Sequence, residues 1–377
     1  MSEEWRARYD GTGPFPGSAG VASTGLSRSR VVSAGLIVMV PFVGLAIAVA
    51  MLWGHGIGLA DVLLAVGLYA VTAFGVTVGF HRLITHRSFT ARPWLRIALA
   101  IAGSMSFQGD VITWAATHRR HHAFTDRPGD PHSPYRYGTG VGGQLRGLAH
   151  AHVGWMFRDD PTPATRYVPD LLADPAMPRV ARAFPALCAV SLILPFAAGW
   201  ALGGDLRAAW IAFLWAGLVR VLVLHHVTWS VNSLCHMFGS RPHPGRRFDR
   251  STDLWPLALI SLGESWHNGH HAAPTCARHG TCPHQIDPSA GLIRILERLG
   301  WATGVHWPDR RPVGGGQPAA AATLQAEEVR VVLLPDRDRG ALIAAAHDPT
   351  GSCPGGFMPR RVRDLPAGRG GGCPGLR

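Results

Sequence analysis

The feature that most constrains this chain is a set of four long apolar runs. Residues 31–53 contain no charged side chain, and as an α-helix they would extend about 35 Å, enough to cross the hydrocarbon core of a bilayer. Residues 62–80, 184–202 and 208–229 follow the same pattern, with Arg220 the one charge among them. Only short links separate the first run from the second and the third from the fourth. These runs therefore predict four transmembrane helices in two hairpins.

Arginine placement predicts the orientation of these helices. The two hairpin tips carry a single arginine, Arg207, whereas arginines flank the other ends of the runs: Arg6, Arg8, Arg28, Arg30, Arg82, Arg87, Arg92, Arg96, Arg241, Arg246, Arg247 and Arg250. We therefore expect both termini and segments 81–183 and 230–307 to be cytoplasmic. The apolar stretch 95–112 is interrupted by polar residues and is expected to dip into the membrane or lie along its surface.

The ends of the chain differ in composition from its centre. Residues 1–30 are rich in Gly, Ser and Arg, and residues 308–377 are rich in Gly, Pro, Ala and Arg. Such segments lack the apolar periodicity that builds a core. We predict a disordered N-terminal tail over 1–30, a membrane domain over 31–307 and a low-complexity, disordered extension over 308–377.

Composition also excludes several classes of function. All 36 basic residues are arginine, so lysine chemistry such as a Schiff base or a P-loop is absent. The six cysteines form no C-x-x-C pair, which argues against a zinc ribbon and a disulfide scaffold. The net charge of +12 comes from arginines near membrane exits, without the aromatic-interleaved basic patch of a nucleic-acid site. We expect no nucleic-acid partner.

Histidine is the residue that indicates chemistry. Most of the 20 histidines lie between the second apolar run and position 284, and they form one H-x4-H and two H-x-x-H-H clusters. On a helix, residues at i, i+3 and i+4 share a face, so each H-x-x-H-H triplet points to one side. His81 and His86 are about 140° apart on an ideal helix, so they either serve two centres or lie where the helix unwinds.

Clustered imidazoles at helix ends predict a metal site at the membrane surface. Neutral imidazole is the commonest metal ligand, and one metal takes three or four such ligands in most sites. The clusters with His236 make nine histidines, too many for one metal and suitable for two. The absence of H-E-x-x-H, and of E-x-x-H pairs along the spans, argues against a zincin protease and a carboxylate-bridged di-iron bundle. A histidine-rich dinuclear iron centre fits best.

These residues resemble the three histidine boxes of the integral-membrane fatty-acid desaturases, with the Δ9 acyl-CoA (stearoyl-CoA type) enzymes most similar. The likeness covers about residues 35–307 and includes the boxes in family order and the element Asn232-Ser-Leu-Cys-His236. It implies an all-α membrane protein whose cytoplasmic helical cap carries a histidine-rich di-metal site. One departure is Gly269 in the third box, where known relatives have a larger residue.

The resemblance implies roles for particular residues. Asn232 would reach one of two irons through a water, and the division of the other ligands between the metals is left open. The nine histidines that would bind the irons are His81, His86, His118, His121, His122, His236, His267, His270 and His271. Trp114, Thr228 and Trp229 are expected to wall the acyl tunnel. Arg119 and Arg120 are candidates for the anionic coenzyme A headgroup, because arginine offers a bidentate fork to phosphate.

The implied reaction is the O2-dependent introduction of a cis double bond, at the Δ9 position, into a saturated acyl chain. Acyl-CoA is the expected carrier, with an acyl-lipid as the alternative, and two electrons would come from a separate ferredoxin- or reductase-type donor linked to NADPH. We expect a multi-pass bacterial cell-membrane protein. Two alternatives remain: a lipid hydroxylase on the same three-box scaffold, and a membrane metal transporter or storage protein.

Overall fold

The structure, a computed structural model, describes residues 28–53, 57–245 and 247–308. In this part of the chain, four helices are long and apolar enough to cross a membrane: Val31–Leu52, Leu59–Thr85, Phe184–Gly203 and Leu206–His236. The predicted all-α membrane fold with four spanning helices is thus confirmed. The predicted extension 308–377, apart from its first residue, and nearly all of the predicted tail 1–30 lie outside the described residues. The domain boundaries and cytoplasmic orientation stay predictions.

The helices are labelled in chain order. In the first half they are α1 (Arg28–Leu52), α2 (Leu59–Phe74, continued by a π-helical segment Gly75–Thr85), α3 (Pro93–Ser104), α4 (Val111–Phe124), α5 (Val141–His152), α6 (Ala164–Tyr167), α7 (Pro169–Leu172) and α8 (Met177–Arg182). In the second half they are α9 (Phe184–Gly203), α10 (Leu206–Ala212, continued by a π-helical segment Phe213–Val219), α11 (Arg220–Ser233), α12 (His267–Ala272) and α13 (Pro288–Arg298).

Short 3₁₀ turns and one small ribbon complete the described fold. The turns are Gly154–Phe157, Leu234–His236 and Trp255–Leu257, and the strands are β1 (Thr90–Ala91) and β2 (Ala302–Thr303). The strands pair antiparallel, with Thr90 opposite Thr303. This ribbon ties the segment that follows the second span to the end of the described chain.

The second hairpin shows why the spans end where the sequence predicts. Gly204 adopts a left-handed conformation with φ 75°, which glycine accommodates without strain, and it ends α9. Asp205 then caps α10 by accepting a hydrogen bond from the Ala208 amide at 2.7 Å. Large apolar side chains such as Leu63 and Ile193 are more than 60% exposed on the spanning helices. That exposure fits a helix surface that faces lipid.

Segment 95–112 does not form a span. Helix α3 has 12 residues, about 18 Å, which is too short to cross a bilayer. It ends before a turn in which Phe107 and Gly109 have φ values of 64° and 97°, and Asp110 then caps α4 through the amides of Ile112 and Thr113. The sequence-based expectation that this stretch does not span agrees with the short helix.

Close packing of α3 against the π-helical segment positions the first two histidine boxes. A Cβ on Gly75 would lie 2.2 Å from the backbone nitrogen of Gly103, so only glycine permits this approach. The buried core on this side includes Phe80 and Leu99, and it continues through α4 with Ala115. The two helices that carry the first and second boxes are thereby held against one core.

Candidate metal centre

Five histidine side chains from three separate segments meet in a first group, here called the five-histidine cluster: His81, His86, His118, His122 and His270. Their Nε2 atoms form a chain of close contacts. His81 to His270 is 3.1 Å, and His270 to His122 is 2.9 Å. His122 to His118 and His118 to His86 are each 3.0 Å. Five ring nitrogens thus point into one buried space.

A second group, here called the four-histidine cluster, contains His121, His236, His267 and His271. The Nε2 atom of His267 lies 3.0 Å from that of His236 and 3.1 Å from that of His271. His121 Nε2 is buried and has no hydrogen-bond partner among the described residues. All nine histidines that the sequence singled out therefore fall into these two clusters.

Each H-x-x-H-H box divides between the clusters. In the second box His118 and His122 join the five-histidine cluster while His121 joins the other. The third box reverses this, because His267 and His271 join the four-histidine cluster and His270 crosses over. An α-helix turns by about 100° per residue, so the side chains at i and i+4 point in directions that differ by about 40°. The side chain at i+3 points to the other side of the one at i. A box therefore serves two centres instead of presenting three ligands to one.

His81 and His86 serve the same cluster because their helix is not α-helical. The segment Gly75–Thr85 is π-helical, and the His86 amide donates to the His81 carbonyl at 3.0 Å. This i→i+5 hydrogen bond brings residues five apart over one another. The alternative in which the two histidines serve different centres is wrong. The other alternative required that the helix depart from α-helical geometry between the two histidines. The π-helical segment is such a departure, because its turns are wider than those of an α-helix.

Carboxylates hold the outer nitrogens of three members of the four-histidine cluster. In each case the Nδ1 atom contacts a buried aspartate, so the carboxylate fixes the Nδ1–H tautomer and the Nε2 lone pair faces the cluster. The pairs are His121 with Asp130 at 3.0 Å, His236 with Asp126 at 2.8 Å, and His271 with Asp249 at 3.0 Å.

Asp126 is held by its own backbone as well as by its partners. Its φ of 54° lies in the left-handed region, which is uncommon for a residue with a side chain. One carboxylate oxygen accepts from His236 and from the Arg250 amide at 2.9 Å, and the other accepts from the Ser133 hydroxyl at 3.1 Å. Strain of this kind persists where surrounding contacts fix the residue.

Among the described residues, the five-histidine cluster has one carboxylate of this kind, Glu264, which contacts Nδ1 of His81. Glu264 also accepts from Arg82 at 3.0 Å, and Arg82 is fully buried. The second carboxylate on Arg82 is Asp287, at 3.0 Å. A buried guanidinium between two carboxylates is a satisfied arrangement, and it fixes Glu264 against His81.

Burial and crowding lower the pKa values of six cluster histidines. The pKa values of His86, His118, His122, His267 and His270 all lie well below the usual value, first because of burial and then because of neighbouring histidines. For His271 burial outweighs its contact with Asp249 and lowers the pKa to about 4. These imidazoles are neutral at physiological pH, the form that binds metal.

The residues present fit metal ions. Where a carboxylate fixes the Nδ1–H tautomer, the lone pair of Nε2 points inward, and several such lone pairs about 3 Å apart repel unless a cation lies between them. Imidazole nitrogens bind such metals at about 2.0–2.1 Å, so two nitrogens that share one ion would lie roughly 3 Å apart. The spacings of 2.9–3.1 Å within both clusters match that value.

Two cavities meet beside the clusters. One is small and mostly apolar and includes Val76 and Leu224, and the larger one reaches Ile37 on α1. Both are lined by Trp114, His118, Thr228 and Asn232, and the larger also by Trp229. The tunnel-wall candidates Trp114, Thr228 and Trp229 therefore all line this space, and so does Asn232, one turn before His236.

Gln108 crosses this space and was not singled out from the sequence. Its amide nitrogen donates to the Thr228 hydroxyl at 2.9 Å, which joins the turn before α4 to α11. The residue follows Phe107 in the irregular turn described above, and its neighbour Asp110 caps α4. The polar interruption in segment 95–112 was the sequence signal that could have identified Gln108. The Gln108 side chain links the two sides of the cavity through its hydrogen bond to Thr228.

The structure does not place Arg119 or Arg120 among the described residues that line the two cavities. Arg119 forms a bidentate pair with Asp170, at 2.6 and 3.0 Å. Arg120 is buried and donates to both oxygens of Asp160 at 2.9 Å. Both guanidinium groups thus brace the helices around the second box, so this geometry does not favour the predicted headgroup role.

Two further residues beside the clusters were also missed. Asp249 lies in an irregular loop without a recognisable pattern, and only the fold brings it to His271. His279 is buried, with its ring centre 4.4 Å from that of His270 and its Nδ1 3.3 Å from Arg82. No spacing pattern points to either residue, because each reaches its partner through a loop.

Comparison with known proteins agrees with this geometry. The family model for fatty acid desaturase matches residues 57–281. A hex-5-enoyl-[acyl-carrier protein] acetylenase from Moorena producens (strain JHB) is 36% identical over 281 residues, 73% of this chain and 86% of the relative. An sn-1 stearoyl-lipid 9-desaturase from Anabaena variabilis is 35% identical over 256 residues, covering 67% and 86%. An acyl-CoA C20 Δ5-desaturase from Anemone leveillei is 36% identical over 246 residues, covering 64% and 72%.

Proposed function

The chain belongs to the fatty acid desaturase family, and from that membership and the two clusters we propose that it introduces a cis double bond, at Δ9, into a long saturated acyl chain. The oxidoreductase class follows from the family. In the proposed reaction, two hydrogens leave adjacent methylenes and, with two electrons and two protons, reduce O2 to two waters. The observation that carries the proposal is the pair of histidine clusters beside an apolar cavity.

We propose two irons as the metals, one for each cluster. His81, His86, His118, His122 and His270 would hold the first, and His121, His236, His267 and His271 the second. Asn232 would reach the second through a water, since it lies one turn before His236 and lines the smaller cavity together with His267. Iron with O2 and two electrons supplies the oxidation that an unactivated methylene requires.

The chain's own residues prepare this site. Asp126, Asp130 and Asp249 keep the protons of their histidines on Nδ1, so the ligand nitrogens stay available. The apolar walls exclude water from the space next to the clusters, which protects reactive species from side reactions.

Position along the acyl chain must be set by shape, because methylenes offer no polar group for recognition. Trp114 stacks on His118 with ring centres 5.0 Å apart, so its indole forms the wall nearest the five-histidine cluster. Thr228, fixed by Gln108, faces the same space. We propose that the chain passes between these two walls and presents its ninth carbon to the clusters.

The test is production of unsaturated fatty acid in a host that cannot make it. Labelled stearate is supplied, and mass spectrometry locates the double bond. We expect a Δ9 monoene from the wild type, none from His121→Ala, and full activity from the control His284→Ala, an exposed histidine outside both clusters. Membrane insertion of His121→Ala is checked in parallel. Activity retained by this variant would contradict the ligand assignment.

The same experiment separates the remaining alternatives. A hydroxylated chain without any monoene would indicate a lipid hydroxylase, and tightly bound zinc without iron or O2 consumption would indicate metal transport or storage. The three relatives differ in the carrier that their names specify, so purified enzyme is assayed with stearoyl-CoA and with stearoyl-phospholipid in separate reactions. We propose acyl-CoA as the carrier of the substrate chain, and this proposal is contradicted if only the lipid-borne chain reacts.

A further inference from the structure

A basic surface lies directly outside the four-histidine cluster. It consists of four exposed arginines in the turn after α4 and in the loop after α11: Arg127, Arg241, Arg247 and Arg250. These four residues are called the basic surface below. The exposed rings of Phe238 and Phe248 lie in the same loop. The surface thus combines positive charge with accessible aromatic groups.

Short connections join this surface to the cluster. The Arg250 amide donates to Asp126, the carboxylate that contacts His236. Arg241 donates to the backbone carbonyl of Asp249, whose side chain contacts His271. Arg127 directly follows Asp126, and Arg247 precedes Asp249 by two residues. Each arginine is therefore within one hydrogen bond or two residues of a carboxylate that holds a cluster histidine.

Charges in this region are separated by depth. Segments 123–136 and 237–253 contain four aspartates, all at most 5% exposed: Asp126, Asp130, Asp249 and Asp253. Three of them, Asp126, Asp130 and Asp249, contact histidines of the four-histidine cluster. The four arginines of the basic surface face solvent. The field outside the loop is consequently positive, the condition that accelerates association with an acidic partner.

We propose that the basic surface is the docking site of a small acidic electron-transfer protein, which delivers electrons next to the four-histidine cluster. This inference rests on the proposed function, whose balance requires two electrons per turnover from a separate donor. A one-electron carrier would dock and be oxidised twice in each cycle. The aspartate bridges to His236 and His271 make this cluster the nearer entry point from the loop.

The test uses purified full-length protein with plant-type [2Fe–2S] ferredoxin as the acidic donor. The variant Arg127→Glu/Arg247→Glu reverses two charges of the basic surface, and Arg179→Glu/Arg298→Glu makes the same change at exposed sites on α8 and α13. We expect the apparent KM for ferredoxin to rise about tenfold or more in the first variant, with kcat at saturating ferredoxin unchanged. The control should stay within about twofold of the wild type, and added salt should raise the wild-type KM.

Two further measurements keep the outcomes distinct. Turnover driven by a small chemical reductant reports the site itself, so it should be the same in wild type and variant. Ferredoxin binding measured by calorimetry needs no turnover, so it tests docking even if the wild type forms no unsaturated product and the proposed function fails. If the glutamate variant misfolds, Arg127→Gln/Arg247→Gln is measured in the same way.

The proposal is overturned if ferredoxin affinity is unchanged in the variant, or if the control loses as much affinity. It is also overturned if the arginines contact the bilayer instead. In that case vesicles containing phosphatidylglycerol would stabilise the wild type more than the variant, while the KM for ferredoxin would be the same for both.

Discussion

The two histidine clusters differ in how their ligands are supported. The five-histidine cluster has one more imidazole than the other. Among the contacts described above, a carboxylate supports the outer nitrogen of one of its members, His81. The four-histidine cluster has fewer imidazoles, and three of them are held by aspartates. A binding site can thus gain strength from an additional ligand or from ligands that are fixed before the metal binds.

The largest effect is expected from removing one imidazole from each cluster. His267→Ala leaves three in its cluster, whereas His86→Ala leaves four. We expect both variants to lose desaturation by more than about 100-fold, because even residues that only orient metal ligands contribute 10–100-fold. Metal content, measured by mass spectrometry, should fall by about one ion per chain in His267→Ala and by less in His86→Ala. Equal losses would remove the distinction between the clusters.

Removing the charge of one supporting carboxylate should have the next largest effect. Asp249→Asn keeps the size of the side chain but replaces the carboxylate on His271, so we expect metal affinity to fall about 10–100-fold. Glu264→Gln acts on one of five ligands, and its main effect should be on stability, because it leaves the buried Arg82 with Asp287 alone. Competition with a chelator measures affinity, and thermal unfolding measures stability.

The outcome for these two variants can contradict the comparison directly. If Glu264→Gln weakens metal binding more than Asp249→Asn does, the five-histidine cluster depends on its single carboxylate more than the other depends on any of its three. Glu297→Gln, at a half-buried position, provides the control for a lost charge, since Glu297 pairs with Arg294 and a glutamine oxygen can still accept from the Trp307 indole. We expect it to change neither quantity measurably.

Acid should destabilise the metal-free protein through these histidines. The pKa values of His86, His118, His122, His267 and His270 are lowered in the folded state, whereas in an unfolded chain histidine titrates near about 6.5. Below that pH the unfolded state binds more protons, so the stability present above about 6.5 is lost as the pH falls toward the folded-state values. Denaturant unfolding of the metal-free protein between pH 8 and pH 5 checks this.

Bound metal should reduce this acid sensitivity down to the pH at which the ligands release it, because protons and metal compete for the same nitrogens. The five-histidine cluster contains four of the five histidines with strongly lowered pKa, so His86→Ala should make the metal-free profile shallower. A metal-free stability that is the same at pH 7 and pH 5 would contradict the proton linkage.

Local patterns in the sequence predicted much of this molecule. The four spans follow from run length, and six of the nine histidines follow from i, i+3, i+4 spacing, since both depend on neighbours in the chain. The convergence of His81 and His86 could not be predicted, because a π-helical segment requires knowledge of the packing around Gly75 and Gly103.

Long-range partners were the part that spacing could not supply. Asp126 and His236 are 110 residues apart, and Asp170 and Arg119 are 51 apart. Arg119 was expected to bind a headgroup because arginine offers a bidentate fork to phosphate. The fold brings Asp170 to it. Which cluster each histidine joins has the same origin, because the division depends on where α4 and α12 lie relative to each other.

The smallest effect is expected at Gly269, which lies between His267 and His270 and thus between ligands of both clusters. A Cβ at this position would lie 2.4 Å from the His279 carbonyl oxygen, so the loop that carries His279 must move to admit alanine. Because overpacking of this kind typically costs about 1–3 kcal/mol, we expect Gly269→Ala to lower the thermal midpoint while reducing activity only a few-fold. Gly291→Ala, on the open face of α13 where a Cβ meets nothing within 4 Å, is the matched control and should be neutral or slightly stabilising.

The metal content of Gly269→Ala shows how far the strain spreads. Loss of metal from the five-histidine cluster alone would mean that His270 moves with the loop, whereas loss from both clusters would mean that α12 shifts as one unit. Unchanged stability in Gly269→Ala would show that the loop yields freely, and that the contact with His279 does not hold the third box in place.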